Sequence, residues 1–345
     1  MKKNPPIVHI GFPKTGSTSL KKHVLPKLCN EMGYLFNPPE FIKISRQFLV
    51  YSKEDKSALQ SLFENNKVLI SQERLIDSNP SNWENAADKV LDLFGREAKI
   101  IITIRNPLDY LCSLYVQLIH NGNIVKAEDF FVNSEEHEKL DPFLAKQSFM
   151  RLDFTKLNYE HLKQIYESRF SEVYFTPLSY IDNLYPFTNL LSLNQETINK
   201  FKKIFKNSPT ENRSYSRNAL NLTFYRERLF RLIGVKTIGN EDIPDNNDFL
   251  IYSKPISKFL DLPFKDKLKE FFPRIFSKLG NTLGSWRWWM QNILDKIYPY
   301  KKYHLPETVQ NKFKIKLMED NFKFINDLEN RTANEKYLQV TKNVN

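Results

Sequence analysis

The chain has few cysteines, and it lacks any long hydrophobic run. Its 345 residues contain only Cys29 and Cys112, too few for a disulfide framework, which favours a reducing compartment. No apolar stretch approaches the roughly 20 residues that a membrane-spanning helix needs. The apolar run over residues 7–12 follows a lysine pair but is too short for a signal peptide. These absences predict a cytoplasmic protein with no transmembrane segment.

Metal-site and hydrolase patterns are missing as well. No His, Cys, Asp or Glu residues have metal-ligand spacing, and no Ser, His and Asp set has a spacing that supports a catalytic triad. Lys and Arg number 51 against 40 Asp and Glu, and the resulting net charge of +11 suits an anionic ligand or acceptor. A nucleic-acid role would rest on this charge alone, because no basic-aromatic module is present. We therefore expect no metal and no nucleic-acid partner.

Short apolar runs alternate with helical patterns over the first part of the chain. This alternation predicts an α/β fold with a mostly parallel central sheet in a three-layer sandwich. The spacing of Leu20, Val24 and Leu28 predicts a surface helix that bends or ends near Pro26. The predicted strands cover residues 7–10, 67–71, 98–105 and 172–176.

The pattern becomes helical beyond about residue 215, with helices expected over 220–233 and 306–328. We therefore expect an α/β core over residues 1–215 and a mainly helical C-terminal part over residues 216–345 that packs on the core. The segment 283–297 holds three tryptophans and is mildly basic. A helix packed on the domain is the first interpretation of this segment, and a peripheral contact with a membrane is left open.

The first predicted strand leads into a turn rich in glycine and hydroxyl groups, and then into a helix. This arrangement aims backbone N–H groups and a helix N-terminus at an anion. The turn resembles an ATP-binding P-loop in spacing, which predicts a P-loop-NTPase-like core. However, Ser17 follows the second glycine, and the only lysine of the loop, Lys14, lies two residues before that glycine. The loop is therefore predicted to bind a phosphate differently from an ATPase.

The third predicted strand ends in a cation, Arg105. Asn106-Pro107 then offers an N-cap and a first-turn proline for a helix through about His120, and Ser113 lies two turns into it. An ATPase would have an aspartate at such a strand end to hold Mg²⁺. The carboxyl ends of parallel strands meet at one edge of a sheet, so Arg105 and the loop are expected to converge. They predict a second anionic group on the ligand, held without metal.

These two segments together resemble motifs of sulfotransferases that use 3′-phosphoadenosine-5′-phosphosulfate (PAPS). Residues 13–18 are similar to the 5′-phosphosulfate loop of that family, and residues 104–115 are similar to its 3′-phosphate motif. The chain looks closest to bacterial-type carbohydrate sulfotransferases, and the clear resemblance covers roughly residues 7–180. It implies PAPS as the sulfuryl donor, 3′-phosphoadenosine 5′-phosphate (PAP) as the product, and no metal.

The resemblance also implies roles for individual residues. Lys14 would lie near the oxygen that bridges phosphate and sulfate, where it neutralises charge on the leaving phosphate. Arg105 and Ser113 would bind the 3′-phosphate. The residues implied to hold the 5′-phosphate, through backbone N–H groups and hydroxyls, are Thr15, Gly16, Ser17 and Thr18.

The reaction also needs a base that takes the proton of the acceptor hydroxyl. Cytosolic members have a histidine after the strand that precedes the 3′-phosphate strand, and here Glu73 occupies that place. Several carbohydrate-sulfating members use a glutamate, so the resemblance implies Glu73 as the general base. Glu40, in an earlier loop, is the alternative, because some members take their glutamate from there. A structural role for both carboxylates is a third interpretation.

Other polar residues carry weaker signals. His9 lies within the first strand, where a core or supporting role is expected, and His120 is interpreted first as a helix C-cap. The late Arg-Lys-Gly loop of cytosolic members is not recognisable, and residues 212–214 are a candidate replacement for it.

The sequence thus predicts sulfuryl transfer from PAPS to a hydroxyl, or as second choice an amine, of a glycan or glycolipid. Two alternatives remain: a P-loop kinase for a small metabolite, and a non-catalytic nucleotide- or glycan-binding protein. Mg²⁺-dependent ATP consumption without PAPS binding would favour the kinase, and tight PAP binding without turnover would favour the binding protein. The identity of the acceptor and the oligomeric state are not predicted.

Overall fold

A computed structural model describes residues 4–12, 17–46, 50–120, 125–139, 151–208, 215–232, 290–313 and 317–342 of the chain. Five parallel strands form the central sheet in the order β2-β3-β1-β4-β7, and β5 and β6 pair as a second, two-stranded sheet. The strands are β1 (Ile7–Gly11), β2 (Tyr34–Phe36), β3 (Lys67–Ser71), β4 (Lys99–Ile104), β5 (Phe131–Val132), β6 (Leu152–Asp153) and β7 (Glu172–Pro177).

Helices connect these strands. Helix α1 (residues 17–32) consists of Ser17–Ser19, a π-helical turn at Leu20–Val24 and an α-helix at Leu25–Met32. The other helices are α2 (Pro39–Arg46), α3 (Lys53–Asn65), α4 (Trp83–Phe94), α5 (Pro107–His120), α6 (Ala127–Phe130), α7 (Ser134–Glu138), α8 (Tyr159–Glu167), α9 (Phe187–Leu190), α10 (Gln195–Asn207), α11 (Arg217–Leu232), α12 (Asp295–Ile297), α13 (Glu307–Phe313) and α14 (Leu317–Lys342). Shorter 3₁₀ turns are at Glu73–Leu75, Pro80–Asn82, Phe154–Lys156 and Leu178–Asn183, and a π-helical turn is at Met290–Leu294.

The sheet is buried on both faces. Alternate residues of β1 belong to two core clusters, with Val8 and Ile10 in the larger cluster and Ile7 in the smaller. Such near-continuous apolar strands are typical of parallel sheets that are covered by helices on both sides. The predicted α/β class, a three-layer sandwich with a parallel central sheet, is confirmed.

The helix after the loop differs in part from its prediction. Leu20, Val24 and Leu28 are fully buried, so this helix covers the sheet as expected. Of the two outcomes predicted near Pro26, a bend or an end, the end is wrong, because the helix continues to Met32. Proline lacks the N–H for a regular helical hydrogen bond, and the π-helical turn immediately before it changes the hydrogen-bond pattern without breaking the helix.

Helix α5 begins where the sequence predicts. The side-chain oxygen of Asn106 accepts hydrogen bonds from the N–H groups of Leu108 and Asp109, at 3.1 and 3.3 Å. Asn106 therefore caps the helix, and Pro107 occupies the first turn, where its missing N–H costs nothing.

Helix α14 packs on β7 and on the start of α8 through polar as well as apolar contacts. The buried side chain of Asn321 in α14 accepts a hydrogen bond from the N–H of Tyr159 and donates one to the carbonyl of Leu157. The division at residue 215 stays a prediction. Within the described ranges, no helix combines the length and the apolar character that crossing a bilayer requires.

A polar row crosses the middle of this buried sheet. The two ring nitrogens of His9 on β1 lie 2.9 Å from the Ser71 hydroxyl on β3 and 2.8 Å from the Thr103 hydroxyl on β4. His9 is 1% exposed, and both hydroxyl residues are equally buried. The imidazole thus joins the two strands that flank β1, which agrees with the expected core role of His9.

The buried imidazole predicts loss of stability in acid. Burial, with a smaller contribution from the charge of Lys21, lowers the pKa of His9 from 6.5 to about 4. As the pH falls, His9 therefore binds a proton in the unfolded chain before it does so in the folded chain. The free energy of unfolding that His9 contributes above pH 6.5 is lost between pH 6.5 and about 4. The contribution of His9 to this loss is about 3 kcal/mol.

Urea unfolding of the wild type and of His9→Gln at pH 7.5 and at pH 4.5 measures this contribution. Glutamine keeps one donor and one acceptor but does not titrate, so the variant should lose less stability between the two pH values. Equal losses in both proteins would contradict the assignment.

Candidate active site

The candidate site lies at the carboxyl edge of the central sheet, where β3, β1 and β4 end side by side. After β1 the chain continues to β2 on one side of β1 in the sheet order, and after β3 it continues to β4 on the other side. The direction of the strand order thus reverses here, and ligands bind at such topological switch points in open α/β sheets. Residues 13–16 lie outside the described residues, so the roles predicted for Lys14, Thr15 and Gly16 stay predictions. Ser17 and Thr18 begin helix α1.

Glu73 lies against the start of α1. The hydroxyl of Ser17 donates a hydrogen bond to Oε1 of Glu73 at 2.6 Å, and the hydroxyl of Thr18 contacts the same oxygen at 3.3 Å. The ammonium group of Lys21, one turn further along α1, is 3.8 Å from this oxygen. The side chain of Glu73 is 26% exposed, so the carboxylate is partly shielded but open to solvent. The structure thus joins the predicted base to two of the predicted phosphate-binding residues.

The backbone before Glu73 is fixed by neighbouring segments. The N–H of Gln72 donates to the carbonyl of His9, which extends the pairing of β3 with β1 by one residue. The Gln72 side chain donates to the hydroxyl of Ser45 in α2 at 2.6 Å. Asn37 pairs with the backbone N–H and carbonyl of Ser71. These contacts hold the turn that carries Glu73.

Glu40, the alternative base, lies in the first turn of α2, after the edge strand β2. Strand β2 is separated from β1 by β3, whereas Glu73 follows β3 itself. The Ser17 and Thr18 hydroxyls both contact Glu73 at this edge. The arrangement favours Glu73, and the role of either carboxylate stays a prediction.

Arg105 and Ser113 meet on the other side of β1. Nη1 of Arg105 donates a hydrogen bond to the Ser113 hydroxyl at 2.9 Å, and Ser113 is buried. The buried hydroxyl of Tyr159 donates to the carbonyl of Arg105 at 2.7 Å. Burial raises the pKa of Tyr159, so this donor stays protonated. The eight-residue spacing read from the sequence therefore brings the two side chains together across two helical turns.

A lysine from the C-terminal part reaches the same region. Lys302 forms an ion pair with Asp109 at 2.6 Å, and Asp109 is 4.0 Å from Nη2 of Arg105. The thiol of Cys112 donates to the carbonyl of Tyr303, and burial raises its pKa to about 11, so it is not a reactive thiolate. The sequence analysis missed Lys302, because no local pattern near this residue indicates its distant partner.

Two further candidates are not placed. Residues 212–214 and the side chain of His120 lie outside the described residues. Within the part of the chain that the structure describes, no group of three or more His, Cys, Asp and Glu side chains could hold a metal ion.

Comparisons with known proteins show a similarity to a solved structure. No family model matches the sequence, and no curated protein matches it. Among solved structures, the chain is similar to a crystal structure of a sulfotransferase from Alicyclobacillus acidocaldarius, with a TM-score of 0.35 and 15% sequence identity. The match covers 68% of this chain and 97% of that chain. At these values the similarity carries no argument about chemistry, which rests on the residues of this chain.

Proposed function

We propose that this chain is a sulfotransferase that moves the sulfuryl group from PAPS to a hydroxyl of a carbohydrate or glycolipid, with an amine as the second choice of acceptor. The observation that carries the proposal is the pair of polar clusters on either side of β1. Glu73 with Ser17 forms one cluster, and Arg105 with Ser113 forms the other. The first cluster lies at the end of β3 and the second at the end of β4, and these strands are two strand spacings, roughly 10 Å, apart. This separation suits a ligand with two phosphate groups.

Both clusters offer the groups that phosphates prefer. The Arg105 guanidinium is a planar fork of donors that stays charged, and Ser113 supports it from the buried side. At the other cluster, the start of α1 supplies hydroxyls and the partial positive charge of a helix N-terminus. The resemblance adds Lys14 beside the bridging oxygen of the donor.

The transfer needs little more than positioning and a base. Glu73 would accept the proton of the acceptor hydroxyl while that oxygen forms its bond to sulfur. The bond between sulfur and the bridging oxygen breaks, and the phosphate leaves with the electron pair as PAP. Lys14 would neutralise the charge that develops on this phosphate. The products are a sulfate ester, PAP and a proton on Glu73, which later passes to solvent.

The charge at the end of β4 supports a donor other than Mg²⁺–ATP. In P-loop ATPases a carboxylate at such a strand end holds the metal, whereas β4 is followed by the cation Arg105. A labelled-sulfate transfer assay from PAPS to glycans and glycolipids of the source cell tests the proposal. Labelled products in the wild type, lost in Glu73→Gln, would support it, and ATP consumption without PAPS binding would contradict it.

Removal of either predicted phosphate-binding cation should weaken PAP binding. A charge-assisted hydrogen bond contributes about 1.5 to 3 kcal/mol, so Lys14→Ala and Arg105→Ala should each raise the Kd for PAP by about tenfold to a hundredfold. Isothermal titration calorimetry measures this Kd. Lys27→Ala removes an exposed lysine from α1 and should bind PAP like the wild type. Wild-type affinity in both test variants would contradict the donor assignment.

Replacement of the proposed base should affect turnover and not donor binding. Glu73→Gln preserves shape and an acceptor for the Ser17 hydroxyl but cannot take a proton, so kcat should fall by about a hundredfold or more. PAP affinity should change little. Glu40→Gln is the matched control and should keep its activity. Full activity in Glu73→Gln, with loss in Glu40→Gln, would move the role to Glu40.

A further inference from the structure

One oxygen of Glu73 carries all of the contacts described for this carboxylate. Oε1 accepts the hydrogen bond from Ser17 at 2.6 Å, lies 3.3 Å from the Thr18 hydroxyl and 3.8 Å from the Lys21 ammonium group. A carboxylate oxygen that is held by hydroxyl donors and a nearby cation has its negative charge compensated. In the donor-free protein, Oε1 of Glu73 is therefore already occupied by donors from α1.

The same hydroxyls are the ones assigned to the donor phosphate in the proposed function. A serine or threonine hydroxyl has a single proton to donate, so it can donate to Glu73 or to a phosphate oxygen but not to both. A phosphate carries more negative charge than a carboxylate and also attracts the backbone N–H groups at the start of α1. The two anions therefore compete for one set of donors.

We propose that the Ser17 and Thr18 hydroxyls exchange hydrogen-bond partners when the donor binds, from the Glu73 carboxylate to the donor 5′-phosphate. This exchange releases Glu73 to act as the base. This inference rests on the proposed function. In the donor-free protein, Glu73 stands in for the phosphate as the anion at the start of α1. The base becomes active only when a nucleotide 5′-phosphate occupies the start of α1.

The exchange has a consequence for protons. After its donors turn to the phosphate, Glu73 has fewer hydrogen bonds to its charged form and a new negative charge nearby, and both changes favour proton binding. PAP binding should therefore be coupled to proton uptake by Glu73 in mildly acidic solution.

Other charged groups around Glu73 must be considered in such a measurement. Lys21 faces it from α1. His9 of β1, beneath the turn, is neutral near pH 6 because burial lowers its pKa to about 4. The side chain of Arg74 lies outside the described residues.

Helix α4 also packs against the turn that carries Glu73. Its carboxylates Asp88 and Asp92 form ion pairs with Arg169 and Lys56, so they already have partners outside the site. Their pKa values lie below the usual range because of hydrogen bonds to those partners. They are therefore ionised before and after PAP binds.

Calorimetric titration with PAP in buffers of different ionisation enthalpy measures the proton uptake. We expect the wild type to take up more protons than Glu73→Gln between about pH 5 and pH 7, with a difference of up to about one proton per site. Protons that PAP itself binds or releases are the same in both proteins, so they cancel in the difference between the wild type and Glu73→Gln. Infrared difference spectra should show a change in a carboxylate band on PAP binding in the wild type but not in Glu73→Gln.

Two further variants sharpen the test. Ser17→Ala removes the shorter hydrogen bond before PAP arrives, so its proton uptake should be smaller than that of the wild type. Glu40→Gln removes a carboxylate that is not assigned to this exchange, so its uptake should match the wild type.

The outcomes separate this inference from the proposed function. If PAP does not bind the wild type, the proposed function fails and the inference fails with it. If PAP binds and Glu73→Gln loses activity, but both proteins take up the same number of protons, the exchange of partners is overturned while the proposed function stands.

Discussion

The parallel pairing of β1 with β3 and β4 is the constraint on which the candidate site depends. His9 pairs with Ser71, and Gly11 pairs with Thr103, so the three strands end within a few residues of one another. Both faces of these strands are buried, and a shift by one residue would move each apolar side chain to the opposite face. The imidazole of His9 adds a fixed distance between the hydroxyls of its two neighbours. The turn with Glu73, the start of α1 and the end of β4 therefore emerge at one edge.

Each side of this edge carries a carboxylate together with cations or hydroxyl donors. On the β3 side, Glu73 accepts from Ser17 and lies near Lys21. On the β4 side, Asp109 binds Lys302 and lies 4.0 Å from Arg105. Such paired charges keep positive groups oriented in the absence of an anionic ligand, and charges that are held in place beforehand bind a phosphate at a lower entropic cost. Both sides of the candidate site thus hold a carboxylate next to a lysine.

Local patterns predicted much of this architecture. Strand β4, the third strand predicted from the sequence, has almost only apolar residues, and Asn106-Pro107 shortly after it begins a helix. Both elements were therefore predictable to within a residue or two. The meeting of Arg105 and Ser113 also follows from local geometry, because eight residues span about two helical turns. The three-residue strand β2 was missed, since a run of that length has no measurable period. The sequence left open whether α1 bends or ends near Pro26, and it continues because burial of the following turn outweighs the lost hydrogen bond.

The sequence by itself determined the α/β class, and it predicted a phosphate-type loop and two motif segments, because each depends on residues that are near one another in the chain. Only the tertiary structure decided which side chains from distant segments meet. The Ser17 hydroxyl reaches Glu73 across 56 residues, and Lys302 reaches Asp109 across 193. Contacts of this kind are set by the order and register of the strands and by the packing of the C-terminal part. No local periodicity encodes them, so the partner of Glu73 could be found only from the fold.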